Sequence, residues 1–216
     1  MASEERHILV QRTARYHVLG DPATAKELWF VLHGHGHLAR FFLHSFEGLE
    51  DGRCIVAPEA LSRYYLDNTF SRVGATWMTR EDREHEITDQ IAYLDPLAKQ
   101  MRVECPGADR FNVLGFSQGV ATLCRWAALG TTAIDRMVIW GGRMPPDLDP
   151  DDLRTRWASL RIDLVHGETD PVVNEDILKL NEAFLRSAGL VFNTHNFDGG
   201  HALDKLVLGR LFVGEG

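Results

Sequence analysis

Gly115-Phe116-Ser117-Gln118-Gly119 decides the fold, because this G-x-S-x-G string lies between a strand pattern and a helix pattern. Residues 111–114 form a short apolar run typical of a buried strand, and residues 120–129 have the apolar spacing of a helix. The string is therefore predicted to lie at a strand-to-helix turn. There the glycines avoid collisions between strand and helix, and a strained serine presents its hydroxyl at the carboxyl edge of the sheet. Ser117 is the candidate nucleophile.

The composition is that of one domain spanning residues 1–216. A chain of 216 residues with 44% hydrophobic content buries roughly 70% of its unfolded surface. Three cysteines without a C-x-x-C pair fit reduced thiols in a cytoplasmic protein. A polar N-terminus and the lack of any run of ~20 apolar residues predict neither export nor membrane insertion. A net charge of -8 without a basic run argues against nucleic acid as a partner.

Strand and helix patterns alternate along the chain, which predicts an α/β fold with a mostly parallel sheet and helices on both faces. Besides the turn at Ser117, apolar patterns predict strands at 28–32, 54–57, 137–140, 162–165 and 191–195, and helices at 41–46, 84–100, 177–185 and 202–211. Residues 7–11 and 15–19 are predicted to form an antiparallel edge. The stretches 61–78 and 141–152 are predicted to be irregular, and Pro96 is predicted to kink its helix.

A serine hydroxyl needs a base to accept its proton, and the base needs an acceptor that fixes its tautomer. Both partners must lie at the same edge of the sheet as Ser117, so the loops after later strands are the places to search. His201 follows the last strand in Gly199-Gly200-His201 and is the predicted base. His195 lies within that strand and is interpreted as a packed or solvent-facing residue.

The third member is predicted to be a carboxylate that leaves the penultimate strand at the same edge. Asp170 lies in the turn after that strand and is assigned this role, with Glu168 as the local competitor. Three other carboxylates are interpreted as strand, loop or helix-cap residues: Asp163, Asp198 and Asp204.

Two backbone amides are predicted to bind the oxygen that becomes negative in the reaction. Gln118 supplies one at the start of its helix. His35 supplies the other, because Gly34 and Gly36 let the loop after strand 28–32 turn close to Ser117.

These pieces resemble, over nearly the whole chain, the α/β-hydrolase superfamily and within it the phospholipase/carboxylesterase family, which includes the acyl-protein thioesterases. The motifs are L-H-G-x-G at 32–36, G-F-S-Q-G at 115–119, H-G-x-x-D-x-x-V at 166–173 and G-x-H at 199–201. The resemblance implies the same triad of Ser117, Asp170 and His201, in an enzyme without a large cap domain. The acidic residue that often follows the family's oxyanion loop is His37 here.

The expected function is hydrolysis of a small-molecule carboxylic ester or thioester through an acyl-enzyme on Ser117, with no cofactor and no metal. A homodimer is compatible with this expectation. Four residues are assigned to the substrate pocket: Tyr64, Trp77, Met78 and Met144.

Other functions stay open. A hydrolase fold can bind a small molecule without turnover, and the same acyl-enzyme can pass its acyl group to an alcohol. The alternating histidines His33, His35 and His37 could belong to a metal-dependent hydrolase, although Leu38 and Ala39 leave the H-x-H-x-D-H signature incomplete.

Overall fold

Nine strands and six helices are formed by residues 3–213, the part of the chain that the computed structural model describes. The strands are β1 (Tyr16–Leu19), β2 (Glu27–Leu32), β3 (Arg53–Pro58), β4 (Ser62–Tyr65), β5 (Val73–Thr76), β6 (Arg110–Phe116), β7 (Arg136–Trp140), β8 (Arg161–Gly167) and β9 (Phe192–Phe197). The helices are α1 (Ala39–Leu43), α2 (Arg83–Glu104), α3 (Gln118–Leu129), α4 (Pro150–Arg156), α5 (Glu175–Ser187) and α6 (Lys205–Val213), and a 3₁₀ turn (His44–Phe46) continues α1.

Seven of these strands form one sheet in the order β1-β3-β2-β6-β7-β8-β9. Every pairing in this sheet is parallel except that of β1 with β3. The predicted α/β fold with a mostly parallel sheet is confirmed. Because parallel strands end at the same edge, the loops after β2, β6, β7, β8 and β9 meet at one edge of the sheet.

Helices cover both faces of the sheet, so the inner strands are mostly apolar. One face carries Phe30 and Val113 and packs against residues of α2, α3, α4 and α5, including Trp126. The opposite face carries Trp29 and packs against α1 and α6, including Leu211. The three cysteines are buried on the first face. None of the helices described in residues 3–213 is long and apolar enough to cross a membrane.

The prediction that residues 7–11 and 15–19 pair as two antiparallel strands is wrong. Residues 7–11 form no strand, and Ile8 and Leu9 are 86% and 94% exposed. β1 instead pairs with β3, with Val18 opposite Val56. Within the described range, residues 7–11 therefore pair with no strand.

Two predicted irregular stretches contain regular structure. β4 and β5 form an antiparallel hairpin within residues 61–78. α4 begins at Pro150, and the Asp149 carboxylate before it accepts a hydrogen bond from the Asp151 amide. α2 runs as one 22-residue helix through Pro96, where a kink was predicted.

Candidate active site

Ser117 lies between the end of β6 and the start of α3, with φ 53° and ψ -117°. This positive φ is strained for a residue with a Cβ, and the Ser117 amide is held by a 2.9 Å hydrogen bond to the carbonyl of Trp140. A Cβ on Gly119 would lie 2.3 Å from the carbonyl oxygen of Leu32, and one on Gly115 would lie 2.6 Å from that of Gly119. The close packing of β2, β6 and α3 therefore requires both glycines, as predicted.

Ser117, His201 and Asp170 are joined by hydrogen bonds. The Nε2 atom of His201 lies 2.9 Å from Ser117 Oγ, and its Nδ1 atom lies 2.8 Å from Asp170 Oδ2. With Nδ1–H donating to Asp170, Nε2 is the acceptor that faces the serine hydroxyl. The structure thus brings together the three residues assigned from the sequence.

Asp170 is held as a buried carboxylate in the loop after β8. Its Oδ1 atom accepts hydrogen bonds from the amides of Val172 at 2.7 Å and Val173 at 2.9 Å. Burial raises the pKa of Asp170, but the hydrogen bonds from Val173, His201 and Val172 outweigh it and hold this pKa below its ordinary value. Glu168, the local competitor, is exposed.

The alternative residues lie elsewhere. Asp163 is buried in β8 between Arg136, whose Nε is 2.7 Å away, and His195, whose Nε2 is 2.9 Å away. Asp204 accepts a hydrogen bond at 2.9 Å from an amide in the first turn of α6. Asp198 is exposed. Asp163 and His195 therefore satisfy each other away from Ser117.

The loop that carries His201 is packed closely against its neighbours. A Cβ on Gly167 would lie 2.5 Å from the carbonyl oxygen of Gly199, so β8 accepts the loop only because this side chain is absent. The imidazole of His201 lies 4.9 Å from the ring of Phe116, between centroids. Trp140 Nε1 donates a 3.0 Å hydrogen bond to the carbonyl of the residue after His201. These contacts orient the imidazole towards Ser117.

The loop after β2 lies directly against the nucleophile. A Cβ on Gly34 would be 3.1 Å from Ser117 Cβ. The backbone amides of His35 and Gln118 donate no hydrogen bond to any other residue in the range 3–213. The two predicted oxyanion donors are thus unpaired amides on the two segments that meet at Ser117.

β5 holds this loop in place. The Gly36 amide donates to the carbonyl of Ala75 at 2.8 Å, and the Ala75 amide donates to that of His37 at 3.2 Å. A Cβ on Gly74 would lie 2.5 Å from the carbonyl oxygen of Gly36. The β4–β5 hairpin, which the sequence did not predict, therefore supports the predicted oxyanion loop.

The side chain of Gln118 connects the same hairpin to the nucleophile turn. Its Oε1 atom accepts from the Trp77 amide at 3.0 Å, and its Nε2 atom donates to the carbonyl of Met78 at 2.8 Å. Thr76 Oγ1 lies 2.9 Å from the same Nε2 atom. Gln118 thus contributes both an amide at the site and a side chain that fixes the residues behind it.

His33 is fully buried, and both of its ring nitrogens are bonded. Nδ1 donates to the carbonyl of Gly34 at 2.8 Å, and Nε2 accepts from the Ala60 amide at 3.1 Å. Burial lowers the pKa of His33 to about 4, although the bond to Gly34 acts in the opposite direction. His33 is therefore a neutral structural residue of one defined tautomer.

His35 also has both ring nitrogens bonded, to Tyr64 Oη at 2.6 Å and to Thr76 Oγ1 at 3.3 Å. His33 and His35 therefore have no unbonded ring nitrogen to offer a metal ion. Within residues 3–213, the group of side chains with metal-ligand spacing is instead the exposed set of His7, Asp82 and His85.

The four predicted pocket residues divide into two groups. Tyr64 contacts the oxyanion loop through His35, and Met78 is half-buried. Trp77 and Met144 are only 2% and 4% exposed and belong to the core of one sheet face. The assignment of these two residues to the substrate pocket stays a prediction, and protein atoms cover most of each side chain.

Sequence reasoning missed Asn181 of α5, which fixes the loop after β7. Its Nδ2 atom donates to the carbonyl of Gly142 at 2.9 Å, and its Oδ1 atom accepts from the Met144 amide at 2.9 Å. A Cβ on Gly142 would lie 2.4 Å from the carbonyl oxygen of Ser117, so this loop borders the nucleophile. A buried asparagine in an otherwise amphipathic helix is the signal that could have found it.

Comparison with known proteins gives consistent results. The model of the phospholipase/carboxylesterase family matches residues 55–211. A carboxylesterase structure from Mesorhizobium loti has a TM-score of 0.75 at 17% identity, covering 94% of this chain and 95% of that chain. The structure of acyl-protein thioesterase 2 from Zea mays has a TM-score of 0.72 at 20% identity, covering 93% and 97%. A sequence search of curated proteins gave no match.

Proposed function

The chain belongs to the phospholipase/carboxylesterase family, and on this premise we propose that it is a serine hydrolase that cleaves carboxylic esters or thioesters through an acyl-enzyme. The proposal is carried by one observation, the continuous hydrogen-bonded row from Ser117 Oγ through His201 to Asp170 Oδ2.

In acylation, Ser117 Oγ attacks the carbonyl carbon of the substrate while His201 Nε2 takes the hydroxyl proton. The carbonyl oxygen becomes negative and is stabilised by the unpaired amides of His35 and Gln118. Asp170, ionised at neutral pH, stabilises the imidazolium through Nδ1. Collapse of the tetrahedral intermediate breaks the bond to the alcohol or thiol, which leaves with the proton from Nε2.

In deacylation, a water molecule takes the place of the leaving group. His201 Nε2 accepts a proton from the water, whose oxygen forms a bond to the acyl carbon. The bond to Ser117 Oγ then breaks, and the proton returns to the serine. The free acid leaves, and the starting arrangement of the three side chains is restored.

Labelling with a fluorophosphonate tests the proposal, because this probe reacts with an activated serine whatever the natural substrate is. We expect one adduct by intact mass on the wild type and none on Ser117→Ala. Ser159→Ala, which changes an exposed serine before β8, is the matched control and should be labelled like the wild type.

A folded wild-type protein that gains no adduct would contradict the proposal and favour binding without turnover. If the adduct forms, acyl esters and thioesters of increasing chain length define the leaving group and the acyl chain. Adding an alcohol and measuring the new ester against free acid separates transfer from hydrolysis.

A further inference from the structure

A cavity of about 560 Å³ lies beside the oxyanion loop. Its walls come from the start of α1, from the loop that joins β4 to β5, and from Gly36 and His37. Its volume falls within the range of small-molecule sites. No part of the mechanism above uses it.

The cavity begins close to the reacting groups. The ring of His37 lies parallel to that of Phe116, with 5.9 Å between centroids and 9° between planes. The ring of Phe116 also lies 4.9 Å from that of His201, between centroids. The His37 amide also donates to the carbonyl of Gly34, the residue against Ser117. A short chain on a substrate bound at Ser117 can therefore reach this cavity.

The charge of the cavity is opposite to that of the protein. Arg40 and Arg72 line it, and no carboxylate among residues 3–213 does so, although the net charge of the chain is -8. Neither guanidinium forms an ion pair within the described range, whereas the nearby Arg15 and Arg63 lie 2.6 Å and 3.2 Å from the buried Glu59. Two cations therefore face one cavity without an anion.

Arg72 is carried by a loop with a fixed shape. The carboxylate of Asp67 accepts hydrogen bonds from the amides of Thr69, Ser71 and Arg72, each at 3.1 Å. The Thr69 hydroxyl also donates to this carboxylate. The hydrogen bonds from Thr69 and Ser71 lower the pKa of Asp67 to about 2. The hydrogen bonds that the Asp67 carboxylate accepts therefore all come from its own loop. The Leu66 amide closes this loop with a 2.8 Å hydrogen bond to the carbonyl of Arg72.

The Arg40 guanidinium lies 4.3 Å from the centroid of the Phe41 ring, and both side chains line the cavity. A guanidinium stacked on an aromatic ring keeps its N–H edge free for an anion. Arginine binds carboxylate and phosphate oxygens through paired hydrogen bonds.

We propose that this cavity binds an anionic oxygen group of the substrate, a carboxylate or a phosphate, so that the protein prefers esters with such a group to neutral esters. The inference rests on the proposed function for the position of the ester bond. The binding of the anion itself can be measured without turnover.

The test compares esters that differ only in charge. p-Nitrophenyl hemiesters of adipate and suberate carry the anion on the acyl side, with their methyl-capped diesters as neutral partners. 4-Acetoxybenzoate and 4-acetoxyphenyl phosphate carry it on the alcohol side, with methyl 4-acetoxybenzoate and 4-acetoxyphenyl dimethyl phosphate as their respective neutral partners. We expect a higher kcat/KM for the anionic member of at least one pair, and a smaller preference at high salt.

Arg40→Gln and Arg72→Gln should each reduce that preference about fivefold, the upper range for an ion pair in contact with solvent. Arg72→Lys should retain part of it. Arg110→Gln is the matched control, because this exposed arginine lies at the amino end of β6, away from the site. Equal preference in the wild type and in both glutamine variants would overturn the inference.

Binding to Ser117→Ala keeps the two proposals separable. Calorimetric titration with monomethyl adipate and with dimethyl adipate should show tighter binding of the anion, and this difference should be about fivefold smaller in Ser117→Ala/Arg72→Gln. Equal binding of both ligands refutes the anion site even if esters are cleaved. Tighter anion binding in a protein that gains no fluorophosphonate adduct supports the anion site and refutes the serine hydrolase.

Discussion

Acid should destabilise this protein through His33, which lies beneath the oxyanion loop. Burial lowers the pKa of His33 from 6.5 to about 4, and its side chain is 0% exposed. As the pH falls below the ordinary histidine value, the unfolded chain binds a proton that the folded chain does not. The free energy of unfolding therefore decreases as the pH falls from above 6.5 to about 4. The stability that neutral His33 provides is fully present only above the ordinary histidine pKa.

The magnitude follows from the shift in pKa. At about 1.4 kcal/mol for each unit, a change from 6.5 to about 4 corresponds to roughly 3 kcal/mol. About 2 kcal/mol of this should be lost between about pH 7.5 and pH 5. This is a large share of a typical domain stability of about 5–15 kcal/mol.

Urea unfolding over this pH range measures the effect, with His33→Gln as the test variant. The glutamine oxygen can still accept from the Ala60 amide, but the bond to Gly34 is lost and no proton is taken up. We expect His33→Gln to have a lower free energy of unfolding than the wild type at neutral pH. Its free energy of unfolding should decrease less on acidification than that of the wild type. His44→Gln, at an exposed histidine in the 3₁₀ turn after α1, is the control for removal of one imidazole. Wild type and His33→Gln with the same pH dependence would refute the reasoning.

Three further variants test the site. Asp170→Asn should reduce kcat by about 10⁴-fold, as in serine proteases, with an unchanged melting temperature, because the tautomer of His201 is no longer fixed; near-normal turnover would move the role to another carboxylate. Gly119→Ala should destabilise the protein by about 3 kcal/mol in urea unfolding, since its Cβ would lie 2.3 Å from the Leu32 oxygen, and an unchanged midpoint would show that the turn can relax. Gln118→Ala should lose about 1–3 kcal/mol of stability but keep the fluorophosphonate adduct, because its backbone amide remains; loss of the adduct in the folded variant would show that its side chain orders the site.

Much of the fold and the site could be predicted because parallel strands impose a common edge. Once β6 is identified from the serine motif, residues that follow other strands must meet Ser117, and this places His201 and Asp170 at hydrogen-bond distance. The family assignment is confirmed by the match over residues 55–211. The catalytic roles remain predictions until labelling and kinetics are done.

The missed features depend on contacts that no local pattern encodes. β4 and β5 have only four residues each, and they become strands by pairing with each other and by contact between Gly74 and Gly36. Aromatic residues such as Trp77 occur in both pockets and cores, and the indole of Trp77 donates to the His33 carbonyl at 2.8 Å and is buried. Two missed features did have a local signal: α4 in its Asp149-Pro150 start, and Asn181 as a polar residue in the amphipathic helix α5.

The hydrogen bond between Ser117 and His201 joins residues 84 positions apart, and the one between His201 and Asp170 spans 31. Bringing such distant segments together costs loop entropy before any contact compensates for it, so these pairings are expected late in folding. Contact between Trp126 of α3 and α2 closes a shorter stretch than the bond between Ser117 and His201, because Trp126 Nε1 and Asp95 are 31 positions apart. In refolding, tryptophan fluorescence should therefore recover before reactivity with the fluorophosphonate, and the serine becomes a kinetic marker for completion of the sheet from β6 to β9.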